Sequence, residues 1–370
     1  MNKKLKIHWQ HPVIDYLSNL VNFGADFRFW PRAALYFIKF ASFEPLRILE
    51  RIVYGNRIAA YKFKQDPIFI LGYYRSGTTH LQEVMLQDKR FGYMNFYQCF
   101  FSSAFLVSEK FLRPIFDGIV SLVRFKHPAH KIPFHFKLPG EEDVALVSSG
   151  YRLASNWGQV FPRSFKKFFS NTVFFESASK GDQLDFQIEM LDLIKRVSIA
   201  NGGKQLLLKS PPQTARIQQI LEIFPRAKFI FIHRNLYDVY KSNQKLWQSF
   251  KGQCLQNFDQ DLADESILWS LKRSLECYDR DRRQLGSDQL FEIRYDDFLS
   301  DPISCLASIY KHLDLGDFDA VVGDFADYLN LKHGTNVDRY VFTKNDIQKI
   351  NHHWGHWLRR WNYEEPHSVS

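Results

Sequence analysis

The chain is poor in cysteine. Cys99, Cys254, Cys277 and Cys305 are the only four in 370 residues, and no two form a CxxC pair. That spacing excludes a disulfide framework, a zinc ribbon and a thioredoxin-type redox site, and it suits a reducing compartment. No apolar run reaches the ~18 residues a membrane-spanning helix needs. The basic start lacks a signal peptide's apolar stretch, because His8, Trp9, Gln10, His11 and Pro12 interrupt it. A cytoplasmic location is the expectation. There is no Pro/Gly/Ser-rich linker and no repeat of fixed period. At 45% hydrophobic and 24% charged, the composition is that of a globular chain.

The formal net charge is +9, and it is unevenly placed. Residues 1–66 carry a net +6 and residues 67–140 a net +5, so the remainder is slightly acidic. An anionic ligand, an anionic membrane surface and nucleic acid are the functional readings, and a solvated basic face is the plain one. We expect no nucleic acid partner. Aromatic residues make up 16%, with 35 Phe, many of them between positions 23 and 43 and between 96 and 116. Most are expected in the core, with some lining an apolar acceptor cavity or touching lipid.

Residues 1–64 read as helical, with Leu46, Leu49, Ile52 and Val53 at helix spacing. After Asp66-Pro67, the run Ile68–Leu71 suits a strand buried on both faces. Leu206–Leu208, Phe229–Ile232 and Leu290–Arg294 are further strands. Helices are expected over Thr78–Gln87, from Glu141 to Ser149, and over Leu236–Trp247, and residues 100–125 read as apolar and amphipathic. Ser210-Pro211 reads as a helix start leading into Ile217, Ile220, Leu221 and Phe224. Strands alternating with helices imply an α/β fold with a central parallel sheet flanked by helices.

Residues 72–79 read Gly-Tyr-Tyr-Arg-Ser-Gly-Thr-Thr. A strand, a glycine-bounded loop and a helix opening with hydroxyls form the frame of a P-loop, whose N–H groups converge on an oxyanion. Gly77 permits close backbone approach, Thr78 and Thr79 add hydroxyls, and Arg75 adds a forked cation. A nucleoside-triphosphate loop needs Lys immediately after the second Gly, where this chain has Thr78, so triphosphate hydrolysis is disfavoured. A second candidate follows the third strand. Arg234 stands at the strand's carboxyl end, and Ser242 lies about two helical turns further on.

These blocks resemble the sulfotransferases that use 3′-phosphoadenosine 5′-phosphosulfate (PAPS), in particular the bacterial branch with an Arg-Ser-Gly-Thr-Thr loop. The tyrosylprotein and cytosolic sulfotransferases are relatives of that branch. The resemblance runs from about Asp66 to about Trp361. It implies a P-loop-like sulfotransferase fold, with residues 1–66 a basic, aromatic helical arm and residues 67–370 the sulfotransferase domain, together one unit. It implies that Arg75, Ser76, Gly77, Thr78 and Thr79 bind the 5′-phosphosulfate and that Arg234 and Ser242 bind the 3′-phosphate. Tyr295 would sit near the nucleotide, and a last contact loop would fall within Arg339–Thr343. Lys209 matches the lysine aimed at the oxygen bridging sulfur and phosphorus. No metal is required, because side chains neutralise the leaving adenosine 3′,5′-bisphosphate.

The general base is open. Cytosolic members use a His where this chain has Pro211. The acids of Pro139-Gly-Glu-Glu-Asp resemble a bacterial motif, and a carboxyl in a cleft there gains a raised pKa. Glu141, then Glu142, then His135 are the candidates; first-turn acids favoured by the helix dipole are the plain reading. His127, His130 and His135, and separately His352, His353 and His356, lack the spacing of a metal site.

Variable segments at 1–60, 96–137 and 244–260 are rich in Phe, Trp, Leu and Ile. They point to a small hydrophobic alcohol or phenol, such as a sterol or lipid, with peripheral membrane contact through the basic arm on the inner membrane face. Carbohydrate or protein-tyrosine sulfation, a P-loop kinase or NTPase, and a non-catalytic nucleotide-binding membrane-associated protein are the alternatives.

Overall fold

The short apolar runs become strands. A computed structural model describes residues 11–124, 133–331 and 340–369. Strands β1 (Ile68–Leu71), β2 (Phe91–Gly92), β3 (Gln205–Lys209), β4 (Lys228–His233) and β5 (Leu290–Arg294) form a five-stranded sheet in the order β2-β3-β1-β4-β5. Every residue of β1 is buried, as a strand covered on both faces requires. β1 pairs parallel with β4, Leu71 opposite Phe231, and β4 pairs parallel with β5, His233 opposite Arg294. The α/β class with a parallel sheet is therefore as expected.

The chain divides into two compact units. The first takes its described residues from 1–65, 92–208 and 249–258. It holds helices α1 (Pro12–Phe23) and α2 (Trp30–Ala60), and further on α4 (Phe96–Phe100), α5 (Phe105–Leu122) and α6 (Glu142–Ser148), with α3 (Thr78–Met85) belonging to the other unit. Tyr16 joins α1 to α2 by donating to the Ala33 carbonyl at 2.8 Å, and its ring lies against Phe40 and Trp157. The charged side of α2 faces inward. Arg51 makes two bonds to Asp192, at 2.7 and 2.9 Å, and Glu50 lies 3.4 Å from Arg196. The Glu50 carboxylate also accepts the Leu106 N–H at 2.6 Å, satisfying the first turn of α5. Burial raises the Glu50 carboxyl to about 7 and that of Glu189 to about 8.

The second unit takes its described residues from 66–91, 209–248 and 259–369. Tyr278 stacks on Phe231 of β4 with centroids 3.9 Å apart. Buried Trp354 ties the Lys344–Arg360 helix to the Gln260–Asp281 helix through a 3.1 Å bond to the Leu268 carbonyl.

One local expectation is corrected. Ser210 makes no capping hydrogen bond; Pro211–Ala215 is a 3-10 turn and the helix starts at Ile217. The tandem Pro211-Pro212 explains this, because a residue before proline is pushed out of the α region. The amphipathic 100–125 stretch holds α5, and the shorter α4 precedes it. Leu49, Ile52 and Val53, at helix spacing on α2, are exposed. All four cysteines are free thiols.

Candidate functional site

The strand register builds the site. His233 and Arg294 are paired at the carboxyl ends of β4 and β5, so the next residues, Arg234 and Tyr295, stand side by side. The Arg234 guanidinium carbon lies 5.3 Å from the centre of the Tyr295 ring. On the other side of β4, β1 ends at Leu71 and runs into the 72–77 loop. Sites of α/β sheets gather at such strand ends.

The loop adopts a conformation few sequences tolerate. Arg75 has φ +70° and Gly77 φ +98°, both left-handed. A β-carbon on Gly77 would run into the Tyr295 ring, so glycine is required both for the backbone angle and for that contact. At Gly72, a β-carbon would come 2.6 Å from the Ile232 carbonyl oxygen. The Gly72 N–H donates to Thr214 Oγ1 at 2.8 Å, and Asn243 Nδ2 donates to the Tyr74 carbonyl at 2.9 Å. The Ser76 hydroxyl donates within the loop to the Tyr73 carbonyl at 2.7 Å. Its proton is thus committed, and the Ser76 N–H donates to the same carbonyl at 3.2 Å, so Ser76 serves to close the turn. No side chain caps the start of α3, which leaves its first N–H groups directed at the loop. Thr78 is buried and Thr79 half-buried at that helix start.

Arg75 Nε donates to Ser242 Oγ at 2.8 Å. The two candidate phosphate sites therefore touch. With its oxygen accepting from Arg75, the buried Ser242 hydroxyl keeps its own proton for another acceptor. Arg234 is held by Asp238 at 3.2 Å, one helical turn on. Burial raises the Asp238 carboxyl and the Tyr295 phenol; Arg234 opposes both shifts, and Arg75 also opposes the second. Lys209, the last residue of β3, is buried at 3% exposure.

Thr214, Asn243 and Asp238 escaped the sequence reading. Only Asp238 had a signal, its i+4 spacing from Arg234 at a helix start. In the last-loop candidate, Arg339 lies outside the described residues. The Tyr340 ring lies 4.6 Å from Lys245 Nζ, and Phe342 is buried beside Lys241, which bonds Asp346 at 2.7 Å.

The base candidates belong to the other unit. Glu141 precedes α6 as its N-cap residue, half-buried, without a side-chain capping bond. Glu142 and Asp143 are fully buried, Asp143 accepting from Ser155, and His135 is exposed. Among the described residues no three His, Cys, Asp or Glu side chains converge to hold a metal ion. His127 and His130 lie outside the described residues.

A family model described as the sulfotransferase family matches residues 67–319. An omega-hydroxy-beta-dihydromenaquinone-9 sulfotransferase, Stf3, from Mycobacterium bovis is 28% identical over 338 residues, covering 90% of this chain and 85% of its own. The protein of that name from Mycobacterium tuberculosis matches equally. Sulfotransferase STF9 from Mycobacterium avium aligns in structure with a TM-score of 0.68 at 16% identity, over 86% of this chain and 82% of its own. STF1 from M. tuberculosis aligns at 0.64 and 16%, over 86% and 85%. Those two likenesses bear on the fold alone. The match over 67–319, which spans the 72–79 loop, Lys209, Arg234 and Tyr295, makes this chain a member of the sulfotransferase family and a transferase enzyme.

Proposed function

We propose that the enzyme moves the sulfuryl group of PAPS to the hydroxyl of a lipid-like alcohol or phenol. The Arg75–Ser242 contact carries this reading, since it merges two strand-end anion sites into one cluster able to hold a bisphosphate. The residues fit the donor. Two arginines, a serine with a free proton, the α3 N-terminus and a glycine without a β-carbon offer charge and donors where phosphate oxygens would lie.

PAPS supplies an activated sulfuryl group on a phosphate leaving group. Arg75, the N–H groups from Gly77 to Thr79 and the threonine hydroxyls hold the 5′-phosphosulfate, in a loop whose turn Ser76 closes. Arg234 and Ser242 hold the 3′-phosphate, with Asp238 fixing the guanidinium and Tyr295 lying against it. Lys209, buried at a strand end, brings its ammonium to the bridging oxygen, and burial magnifies its effect on developing charge. The acceptor's proton goes to Glu141, Glu142 or His135, in that order of preference; no metal is needed.

The acceptor class is supported by the matched mycobacterial enzyme, which is named for an omega-hydroxy lipid quinone.

Thermal melting in EDTA with adenosine 3′,5′-bisphosphate, against ATP with Mg²⁺, tests the donor site. At ~100 times its dissociation constant the bisphosphate should add ~2.7 kcal/mol, and Arg234→Ala should abolish that gain. Stabilisation by ATP with Mg²⁺ alone would overturn the reading. A polyprenyl alcohol should accept sulfate where a sugar and a tyrosine peptide do not.

A further inference from the structure

The longest helix of the chain is turned inside out. Along α2, Arg47 and Glu50 are buried, and Arg51 is bonded to Asp192. Every fully exposed position from Trp30 to Val53 is uncharged. Leu35, Ile38 and Ile52 there are 65%, 57% and 74% exposed. The neighbouring α5 repeats the pattern. Phe111, Ile115, Ile119 and Leu122 form an exposed stripe, while Arg113 is turned onto Glu109 and Asp117. On α1, Ile14, Leu17 and Val21 are exposed at helix spacing. Since α2 packs against both α1 and α5, these stripes belong to one side-by-side group of helices. An exposed apolar surface of this extent marks an interaction site.

The fully exposed ionic groups on and beside these helices share one sign. Arg57 and Lys110 lie on α2 and α5, and Arg28 and Arg124 flank them. The acids Asp15, Glu44, Glu109 and Asp117 are none of them fully exposed. No described helix is long and apolar enough to cross a membrane.

We propose that this face docks on an anionic lipid bilayer, with the helices lying along the surface. The apolar side chains enter the boundary of headgroups and acyl chains, and the arginines and lysine meet lipid phosphates. A second copy of the chain is a poorer occupant. A two-fold contact through this face would set basic groups near basic groups, with no fully exposed acid among the described residues of these helices to pair them. The inference rests on this surface alone, and vesicle binding is read without sulfuryl transfer.

The test is co-sedimentation of the full chain with phosphatidylcholine vesicles, with and without phosphatidylglycerol. The anionic vesicles should bind ~10-fold or more of the protein relative to neutral ones, and less at high salt. Ile38→Glu with Ile52→Glu should abolish binding while bisphosphate stabilisation stays intact. Arg57→Glu with Arg124→Glu should remove the preference for anionic lipid without touching the apolar face. Three results would overturn the proposal: equal binding to both vesicles, binding indifferent to both pairs of substitutions, or no vesicle binding together with a dimer that Ile38→Glu/Ile52→Glu dissociates.

Discussion

The 72–79 loop and helix α2 are opposite cases of how a sequence declares its structure. In the loop, the backbone angles restrict which residues the sequence can place there. Gly77 must be glycine because its φ is +98° and the Tyr295 ring occupies the place of a β-carbon. In α2, the period of the apolar residues is plain, but which side of the stripe faces the protein is not. Burial of a hydrophobic stripe is the ordinary rule. Here the partners of Glu50 and Arg51, namely Arg196, Asp192 and the α5 backbone, lie on the protein side and draw the charged face inward. A site built from backbone angles is legible in one sequence. A surface decided by distant ion pairs is not.

The sharpest way to break this comparison is at the reacting end of the site. Lys209→Ala should lower kcat by ~10²-fold or more while bisphosphate stabilisation persists. An unchanged kcat would remove Lys209 from the mechanism. Next comes the backbone constraint. Gly77→Ala should destabilise the fold by ~1–3 kcal/mol through strain and the Tyr295 clash, and weaken bisphosphate binding with it. A variant as stable as the parent would contradict the geometry of the loop.

The base is tested by Glu141→Gln and Glu142→Gln separately, one of which should lower turnover by ~10²-fold. If both leave turnover intact, His135→Ala is the remaining candidate to measure.

The smallest effect sharpens the α2 side. The carboxyls of Glu50 and Glu189 are raised in the folded state, so folding binds extra protons between their unfolded and folded pKa values. Stability from these groups is therefore full below the unfolded pKa and falls as pH rises toward about 7 and about 8. Glu189→Gln removes one such group. Its melting temperature relative to the parent should climb between about pH 5 and about pH 8, and a flat difference would contradict the inward charge network.

Much of the sheet was legible. Four strands lie where apolar runs predicted them, because strands buried on both faces need no alternation. Their ends explain why Arg75, Arg234, Ser242 and Tyr295 meet. The contact between Arg75 and Ser242 was not legible, since it crosses from one strand-helix unit to the next and no spacing encodes it. The same holds for Thr214 and Asn243, which steady the loop from afar. The start of the helix after Lys209 was misplaced because Pro212 weighs more than a capping serine.

The most direct measurement is a calorimetric titration of adenosine 3′,5′-bisphosphate into the parent, Arg75→Ala, Ser242→Ala and the double variant. The account predicts that each single change weakens binding by ~10-fold or more, and that the double change costs less than the two singles multiplied, because the side chains act as a pair. Unchanged affinity in both single variants would contradict it.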